Sequence, residues 1–143
     1  MIRLIPLSIH QKGADVTWQL LQERPEAAYI SHAGNTAREE HDRYISSMPY
    51  RAWEIIENEA GEPVGAVYLT NRNEIGIAIL KDYQHNGYAT EAIKAVMDRY
   101  APLSAIPGAR QAHYVANVAP TNIASQKLFQ KLGARLVQFT YKL

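Results

Sequence analysis

The sequence predicts an α/β fold, a mixed sheet with helices on both faces, and three observations support this class. Between residues 51 and 80, three short apolar segments are separated by tight polar turns, as in antiparallel hairpins. From residue 74 onward, strand patterns alternate with helix patterns, which is typical of β-α-β crossovers. The chain has 143 residues, 47% of them hydrophobic, so we expect residues 1–143 to form a single domain with its own core.

One strand and two helices account for the N-terminal third of the chain. We expect a strand, a helix, a short extended stretch and a second helix at residues 2–8, 13–24, 27–31 and 36–46. Val16 and Leu20 supply an apolar stripe to the first helix, and Pro25 stops it. Thr36 is placed to cap the second helix, and Glu39, three residues later, completes a capping box.

Three strands follow in the middle of the chain, at residues 51–57, 64–70 and 74–80. Asn, Gly, Glu and Pro residues between them indicate hairpin turns. After its first residue the third strand is apolar on both faces, which indicates a central position in the sheet. Gly76 inside this strand marks either a bulge or the close approach of another backbone.

The C-terminal part alternates helix and strand. We expect a helix, a strand, a helix capped by Thr121 or Asn122, and a final strand, at residues 87–100, 111–118, 122–132 and 134–143. Gly133 is the expected C-terminal cap of the last helix. The complete element order is therefore β-α-α-β-β-β-α-β-α-β.

Composition and charge exclude several classes of function. A net charge of +1 does not favour the large basic surface of a nucleic-acid-binding protein. The absence of cysteine excludes disulfides, thiolate zinc sites and a cysteine nucleophile. No apolar run approaches membrane-spanning length and no signal-peptide pattern is present, so we expect a cytoplasmic protein. The histidines lack the close spacing of a paired metal site, so no metal is expected.

An anion-binding loop is predicted where the strand at 74–80 leads into the helix at 87–100. The segment from Gln84 to Thr90 is polar and carries Gly87 at the helix start. The first backbone N–H groups of a helix have no partner within it, and the helix dipole adds partial positive charge there. We therefore expect a phosphorylated ligand at this loop.

Two segments of the sequence resemble the GNAT superfamily of N-acetyltransferases. Gln84-His85-Asn86-Gly87-Tyr88-Ala89 is similar to the phosphate loop of that family, Q/R-x-x-G-x-G/A. The segment from Asn122 to Gly133 is similar to the family's run N-x-x-[AS]-x-x-L-[YF]-x-K-x-G. The predicted element order also matches the family over nearly the whole chain.

The resemblance implies that acetyl-CoA is the cosubstrate. Its pyrophosphate would lie on the loop, and its pantetheine arm would lie beside the strand at 74–80, which would be splayed from the strand at 111–118. The residues implied in cofactor binding are Ile77, Ala78, Ile79, Gln84, His85, Asn86, Gly87, Tyr88, Ala89, Thr90, Asn122, Ser125 and Phe129. Many relatives end in two strands, so the final edge strand is expected to be missing, and a homodimer would cover the exposed edge.

Glu74 and Asn117 are the catalytic candidates that the resemblance implies. Without cysteine or a G-x-S-x-G motif, direct attack of an amine on the thioester in a ternary complex is the economical route. Relatives often carry a glutamate base at the position of Glu74; the alternative is a carboxylate that closes a tight turn. Asn117 stands where some relatives carry a glutamate. An amide is not a base, so it positions water or the acceptor, or satisfies the strand edges.

Phe129 departs from the family pattern. Many relatives carry a tyrosine there, which protonates the leaving thiolate, and phenylalanine cannot donate a proton. Tyr114 and Tyr141 are candidates to replace it, and core or sheet packing is the alternative role for both.

The resemblance also implies an acceptor site near the first two helices and their connection. This points to His32 and His41, with Arg51 and Trp53 on the first hairpin strand as further candidates. An exposed charged helix face accounts for His41 without a ligand, and packing accounts for Arg51 and Trp53.

The favoured function is an N-acetyltransferase that moves the acetyl group of acetyl-CoA to a primary amine of a small molecule. The alternative is an acetyl-CoA-binding or acyl-CoA-binding protein with weak or no catalysis, which the missing tyrosine at position 129 permits. Neither membrane nor nucleic acid is an expected partner. The residues do not identify the acceptor amine.

Overall fold

The structure is a computed structural model that describes residues 1–24 and 36–143. The predicted stretch at 27–31 and the acceptor candidate His32 lie outside the described residues. The elements, in chain order, are β1 (Arg3–Pro6), α1 (Gly13–Glu23), α2 (Arg38–Ser46), β2 (Ala52–Glu57), β3 (Pro63–Leu69), β4 (Ile75–Ile79), α3 (Tyr88–Arg99) and α4 (Ile123–Lys131). Short 3₁₀ turns follow β1 and β4, at Leu7–Ile9 and Lys81–Tyr83.

Within the described residues, the regular sheet has four antiparallel strands in the order β1-β2-β3-β4. The pairing of β3 with β4 runs without a shift from Gly65 opposite Ile79 to Leu69 opposite Ile75. The one irregularity in this sheet is a bulge in the β2–β3 pair, where Ile56 opposes Gly65 and Glu57 opposes Pro63. The predicted bulge near Gly76 is therefore wrong, because the ladder at that point is continuous.

Each face of the sheet carries its own apolar core. On one face, Val16 and Leu20 of α1 pack with residues of β2 and β3, including the fully buried Ile55. On the other face, Ile93 and Val96 of α3 join a cluster of strand residues. The apolar stripe predicted for the first helix is confirmed, since Val16 and Leu20 are both buried.

Helix α2 begins later than the sequence predicts. It starts at Arg38, with Ala37 as N-cap and no side-chain cap, so the capping box of Thr36 and Glu39 is wrong. Arg38 ties this end to α1 instead, because its guanidinium binds Asp15 at 2.8 Å and also Asp42. With the N-cap displaced by one residue, from Thr36 to Ala37, the Thr36 hydroxyl is no longer at the capping position.

The predicted strand at 111–118 is reduced to one parallel bridge, between Glu74 and Val115. The amide of Ile75 donates to the Val115 carbonyl at 2.8 Å, and the Val115 amide donates to Asn73 at 2.9 Å. Before the bridge, a side-chain hydrogen bond takes the place of backbone pairing: the buried Asn73 side-chain amide donates to the Gln111 carbonyl at 2.8 Å. After the bridge, no further backbone hydrogen bond joins the described residues of the two segments, which fits the predicted splay although the regular strand is not formed.

The predicted strand at 134–143 is also wrong. Helix α4 ends before Gly133, whose φ of +88° fits its predicted role as C-terminal cap. The following residues form no ladder and are exposed, with Phe139 72% and Tyr141 82% accessible. Because residues 111–118 do not form a strand, the sheet offers this segment no neighbour to pair with. Among the helices of the described residues, none has the length and apolar character needed to cross a membrane.

Candidate active site

The two edges of β4 differ in how their backbone groups are used. The Leu80 amide donates to Val64 of β3, whereas the Ile75 amide points the other way, to Val115. Because amide directions alternate along a strand, the N–H groups of Ile77 and Ile79 face away from β3, and those of Gly76 and Ala78 face it. Two of the three predicted pantetheine contacts, Ile77 and Ile79, therefore present backbone groups at the open edge.

The loop after β4 has the geometry of an anion site. His85 and Gly87 adopt left-handed backbone conformations, with φ of +66° and +81°, and both are exposed. Tyr88, Ala89 and Thr90 form the first turn of α3, where backbone N–H groups lack helical partners. Left-handed residues that alternate with ordinary ones bring successive N–H groups into one concave nest, and the helix dipole adds to its positive potential.

Polar side chains fix this loop in place. The Gln84 amide donates to the Ile79 carbonyl at 3.1 Å, which joins the loop to the end of β4. The Asn86 amide donates to the carbonyls of Tyr83 and Gln84, at 3.0 and 3.1 Å. Glu91, the acidic residue of the first helical turn, accepts from the Ile2 amide at 3.0 Å and is thereby directed to the chain terminus. The loop is thus pre-shaped for an anion, and the Glu91 carboxylate in the first turn of α3 is engaged elsewhere.

Glu74 and Asn117 come together where β4 and the 111–118 segment begin to separate. The Asn117 amide donates to one Glu74 carboxylate oxygen at 2.6 Å, and the Thr70 hydroxyl donates to the other at 3.0 Å. Both partners are neutral donors, so they orient the carboxylate without neutralising its charge. This arrangement holds a proton acceptor in one position beside the open edge of β4.

An aromatic cluster, consisting of Tyr44, Tyr50, Trp53 and Tyr68, lies on the α1 side of the sheet. Tyr50 and Tyr68 stack with ring centroids 4.1 Å apart, and Trp53 meets Tyr50 edge-on at 4.8 Å. The Tyr44 hydroxyl donates to the Tyr50 hydroxyl at 2.6 Å. Burial raises the pKa of Tyr50 and Tyr68, although the Arg24 guanidinium acts in the opposite direction on both, so the two phenols stay neutral at physiological pH.

Gly76 allows the aromatic cluster to reach β4. Tyr68 and Gly76 are opposite each other in the β3–β4 pair, and the phenolic end of Tyr68 lies over Gly76 where a Cβ would be. The sequence analysis left open a bulge or the approach of another backbone at Gly76, whereas the approaching group is this ring. Because alternate residues share a face, Glu74 lies on the same side as Gly76 and Tyr68. The aromatic cluster thus extends to the candidate base.

Helix α4 places its predicted residues near the core. Asn122 is the N-cap, and its side-chain oxygen accepts from the Ser125 amide at 3.3 Å. Phe129 packs against the core cluster that includes α3. The side-chain oxygen of Asn122 therefore caps the helix, and the contact of Asn122 with the cofactor stays a prediction.

The other predicted acceptor residues have structural partners. His41 is buried and its Nε2 lies 2.9 Å from the Thr17 hydroxyl, so it joins α2 to α1 rather than lying on an exposed helix face. Arg51 donates to the Ala101 carbonyl at 2.8 Å and lies over the Tyr100 ring. Trp53, by contrast, belongs to the aromatic cluster near Glu74.

Among the described residues, neither tyrosine proposed as a replacement acid makes a hydrogen bond to Glu74 or Asn117. The Tyr114 hydroxyl donates to the Met97 and Tyr100 carbonyls at the end of α3. Tyr141 lies in the exposed C-terminal segment. A separate groove of about 540 Å³, lined by residues including Lys12, Gln19 and Glu62, contains neither Glu74 nor Gly87 and so is not this site.

A pre-shaped anion loop, an open strand edge and an oriented carboxylate together define the class of coenzyme-A-dependent acyltransferases. A sequence profile of the acetyltransferase (GNAT) domain matches residues 2–135, and the chain belongs to this family. The family uses acetyl-CoA as acetyl donor. A search of curated proteins finds no match to the sequence.

Solved structures with the same fold include several acetyltransferases. An N-acetyltransferase from Staphylococcus aureus Mu50 is 17% identical, with TM-score 0.63 over 93% of this chain and 81% of its own. A ribosomal-protein-alanine N-acetyltransferase from Brucella melitensis biovar Abortus 2308 is 15% identical, with TM-score 0.64 over 100% and 96%. A phosphinothricin acetyltransferase from Sinorhizobium meliloti, in complex with acetyl-CoA, is 16% identical, with TM-score 0.63 over 93% and 73%. At these identities the similarity is one of fold.

Proposed function

We propose that this protein is an N-acetyltransferase that moves the acetyl group of acetyl-CoA to a primary amine of a small molecule, by direct attack in a ternary complex. The observation that carries the proposal is the Glu74 carboxylate, which Thr70 and Asn117 hold at the start of the open edge of β4. A family member that only bound acetyl-CoA would need the loop and the edge, but not an oriented base beside them.

Every step except protonation of the leaving thiolate has a group of this chain to support it. The exposed loop from Gln84 to Gly87 and the first turn of α3 would hold the pyrophosphate, and the outward N–H groups of Ile77 and Ile79 would pair with the pantetheine arm. The amine nitrogen attacks the thioester carbon, the C–N bond forms and the C–S bond breaks. Glu74 takes the amine proton through water, and solvent protonates the thiolate because Phe129 cannot. A backbone N–H at this edge, from Ile77 or a neighbour, is the proposed donor to the carbonyl oxygen as it gains charge.

Removal of the carboxylate tests the proposal. Glu74→Gln keeps the size and hydrogen-bonding capacity of the side chain but removes the base, so kcat should fall about a hundredfold. The affinity for acetyl-CoA, measured by isothermal titration, should be unchanged. Asp98→Asn, on the exposed side of α3, is the matched control and should leave kcat unaltered.

The second candidate function is acetyl-CoA binding without efficient transfer, and Phe129 favours it because no proton donor replaces the family tyrosine there. Thiol release from acetyl-CoA with a panel of primary amines distinguishes the two. Tight binding with no amine-dependent release would support the binding function and contradict the transferase. Unchanged kcat in Glu74→Gln, with transfer intact, would remove Glu74 from its role but retain the transferase.

A further inference from the structure

The aromatic cluster is an unusual surface to place beside a carboxylate. Tyr44 is 47% exposed, and Tyr50, Trp53 and Tyr68 are only partly buried. Aromatic rings are among the largest contributors to core packing, so a domain that leaves four of them partly accessible at one place gives up burial there. Apolar surfaces of this kind, bordered by polar groups, mark ligand sites more often than isolated exposed residues do.

The position of the cluster relates it to the reaction proposed above, on which this inference rests. Tyr68 and Trp53 oppose each other in the β2–β3 pair, and Tyr68 reaches across to Gly76 of β4. Glu74 lies on the same side of β4, and its charge acts on the Tyr68 phenol. A molecule that rests on the rings can therefore place one end at the carboxylate.

The electrostatics of the cluster select the charge of that molecule. Glu74 carries the negative charge near the rings, and Asn117 and Thr70, which hold it, are both neutral. The π faces of tyrosine and tryptophan attract cations as well, so a single ammonium group is favoured at the Glu74 end. Arg24 is the positive group that acts on Tyr50 and Tyr68.

We propose that the aromatic cluster is the acceptor subsite, and that it selects a primary amine joined by a short chain to a flat aromatic ring. The ring packs against the exposed surfaces of Tyr44, Tyr50 and Trp53. The amine extends past Tyr68 to Glu74. Gly76 is required because any side chain there would displace the Tyr68 ring.

A pair of amines of similar size tests the selection for aromatic character. 2-Phenylethylamine and 2-cyclohexylethylamine carry the same ammonium on the same chain and differ in the ring. With acetyl-CoA as donor, we expect kcat/KM for the aromatic amine to be about tenfold higher, the value of a good aromatic pair. Glucosamine and 1,4-diaminobutane should be poorer than either. Equal rates for the matched pair, or a preference for glucosamine or the diamine, would overturn the assignment and leave the N-acetyltransferase standing.

Variants locate the preference on the rings. Trp53→Leu and Tyr44→Leu should each lower the ratio of the two rates toward one, and Tyr44 is the safer change because it is the most exposed member. Phe139→Leu makes the same kind of substitution in the exposed C-terminal segment and should leave the ratio unchanged. A ratio unaffected by both cluster variants would overturn the assignment.

A binding measurement separates this inference from the proposed function. Trp18 and Trp53 are the two tryptophans of the chain, so Trp18→Phe leaves Trp53 as the sole indole reporter. Saturable quenching of Trp53 by 2-phenylethylamine, without transfer to any amine, would support the ring site and contradict the transferase. Transfer without such quenching would overturn the ring site alone. Absence of both quenching and transfer would overturn both.

Discussion

The two edges of β4 form a contrast within one strand. Toward β3, five consecutive residue pairs form an unbroken ladder, from Gly65 and Ile79 to Leu69 and Ile75. Toward residues 111–118, the ladder consists of the single bridge between Glu74 and Val115. One strand thus contributes to folding through one edge and offers the other to a ligand. Along this five-residue strand, the backbone groups of alternate residues bond to β3, and those of the residues between them face the open edge.

The surroundings of the two edges follow the same division. Next to the closed edge, Val67 and Leu69 of β3 are fully buried. At the open edge the contacts are polar, and the Asn117 amide and the Glu74 carboxylate meet through side chains rather than backbone. A polar side-chain contact fixes the separation of the two segments without closing the gap between them.

Proline substitution at neighbouring residues would test the contrast most severely. In Ala78→Pro the lost N–H is one that faces β3, so a ladder bond disappears and the ring disturbs a paired edge. We expect the free energy of unfolding to fall by about 1–3 kcal/mol, the cost of leaving the partner carbonyl of β3 without its hydrogen bond. Urea denaturation followed by circular dichroism would measure it, and a native-like midpoint would contradict the assigned amide direction.

Ile77→Pro is the matched change at the open edge. Proline is tolerated where its missing N–H would face away from the ladder, so this variant should remain folded. It should nevertheless lose about tenfold or more in acetyl-CoA affinity, because one backbone donor to pantetheine is gone. Isothermal titration measures this affinity. If Ile77→Pro bound acetyl-CoA normally, the proposed pairing of pantetheine with β4 would be wrong.

Alanine substitution at two glycines with similar backbone conformations distinguishes an effect on cofactor binding from an effect on stability. Gly87 and Gly133 have φ of +81° and +88°, and a Cβ at either would meet no atom within 4 Å. Alanine at each position should therefore cost about 1–2 kcal/mol through backbone strain alone. Only Gly87→Ala should also weaken acetyl-CoA binding, since only Gly87 lies in the anion loop. An equal loss of affinity in Gly133→Ala would show that the effect is one of stability.

The smallest expected effect concerns the α1–α2 contact at His41. Burial lowers the pKa of His41, although the charge of Asp42 opposes this shift. As pH falls through the ordinary histidine value of 6.5, the unfolded chain takes the proton before the folded protein does. The free energy of unfolding is thus highest above that pH, and it declines below it until the folded state is protonated as well. Thermal melts from pH 8 to pH 5 should show a shallower decline in His41→Gln and no change of slope in the exposed His113→Gln.

Sequence patterns predicted the local elements better than their pairing. The stripes of α1 and the three strands between residues 51 and 80 were confirmed, because burial on one face leaves a period in the sequence. The segments at 111–118 and 134–143 have strand-like composition, but a strand also requires a partner. Asn73 and Tyr114 hold the first segment through side-chain bonds instead. Such bonds have no periodic signature.

The candidate site divides in the same way. The loop residues from Gln84 to Thr90 are adjacent in sequence, so a motif could reveal them. Glu74 and Asn117 were identified separately, but their contact depends on the register of one bridge. The aromatic cluster was missed except for Trp53, because its rings come from α2, the segment before β2, and two strands. Gly76 was the available signal, and only the β3–β4 register shows that Tyr68 is the group it accommodates.

The oligomeric state and the cytoplasmic location stay predictions. The predicted homodimer would cover the exposed segment that contains Phe139 and Tyr141. Light scattering of the purified protein would measure the oligomeric state, and a monomer would contradict the prediction.

The alternating direction of the β4 amides has a consequence for isotope exchange. Within a strand only five residues long, the amide hydrogens of Gly76 and Ala78 should exchange slowly with deuterated water, since they bond to β3. The outward amides of Ile77 and Ile79 should exchange quickly, which gives protection a period of two along the chain. Addition of acetyl-CoA should slow exchange at Ile77 and Ile79 selectively. Binding of the cosubstrate would then appear as the loss of the alternation between slowly and rapidly exchanging amides.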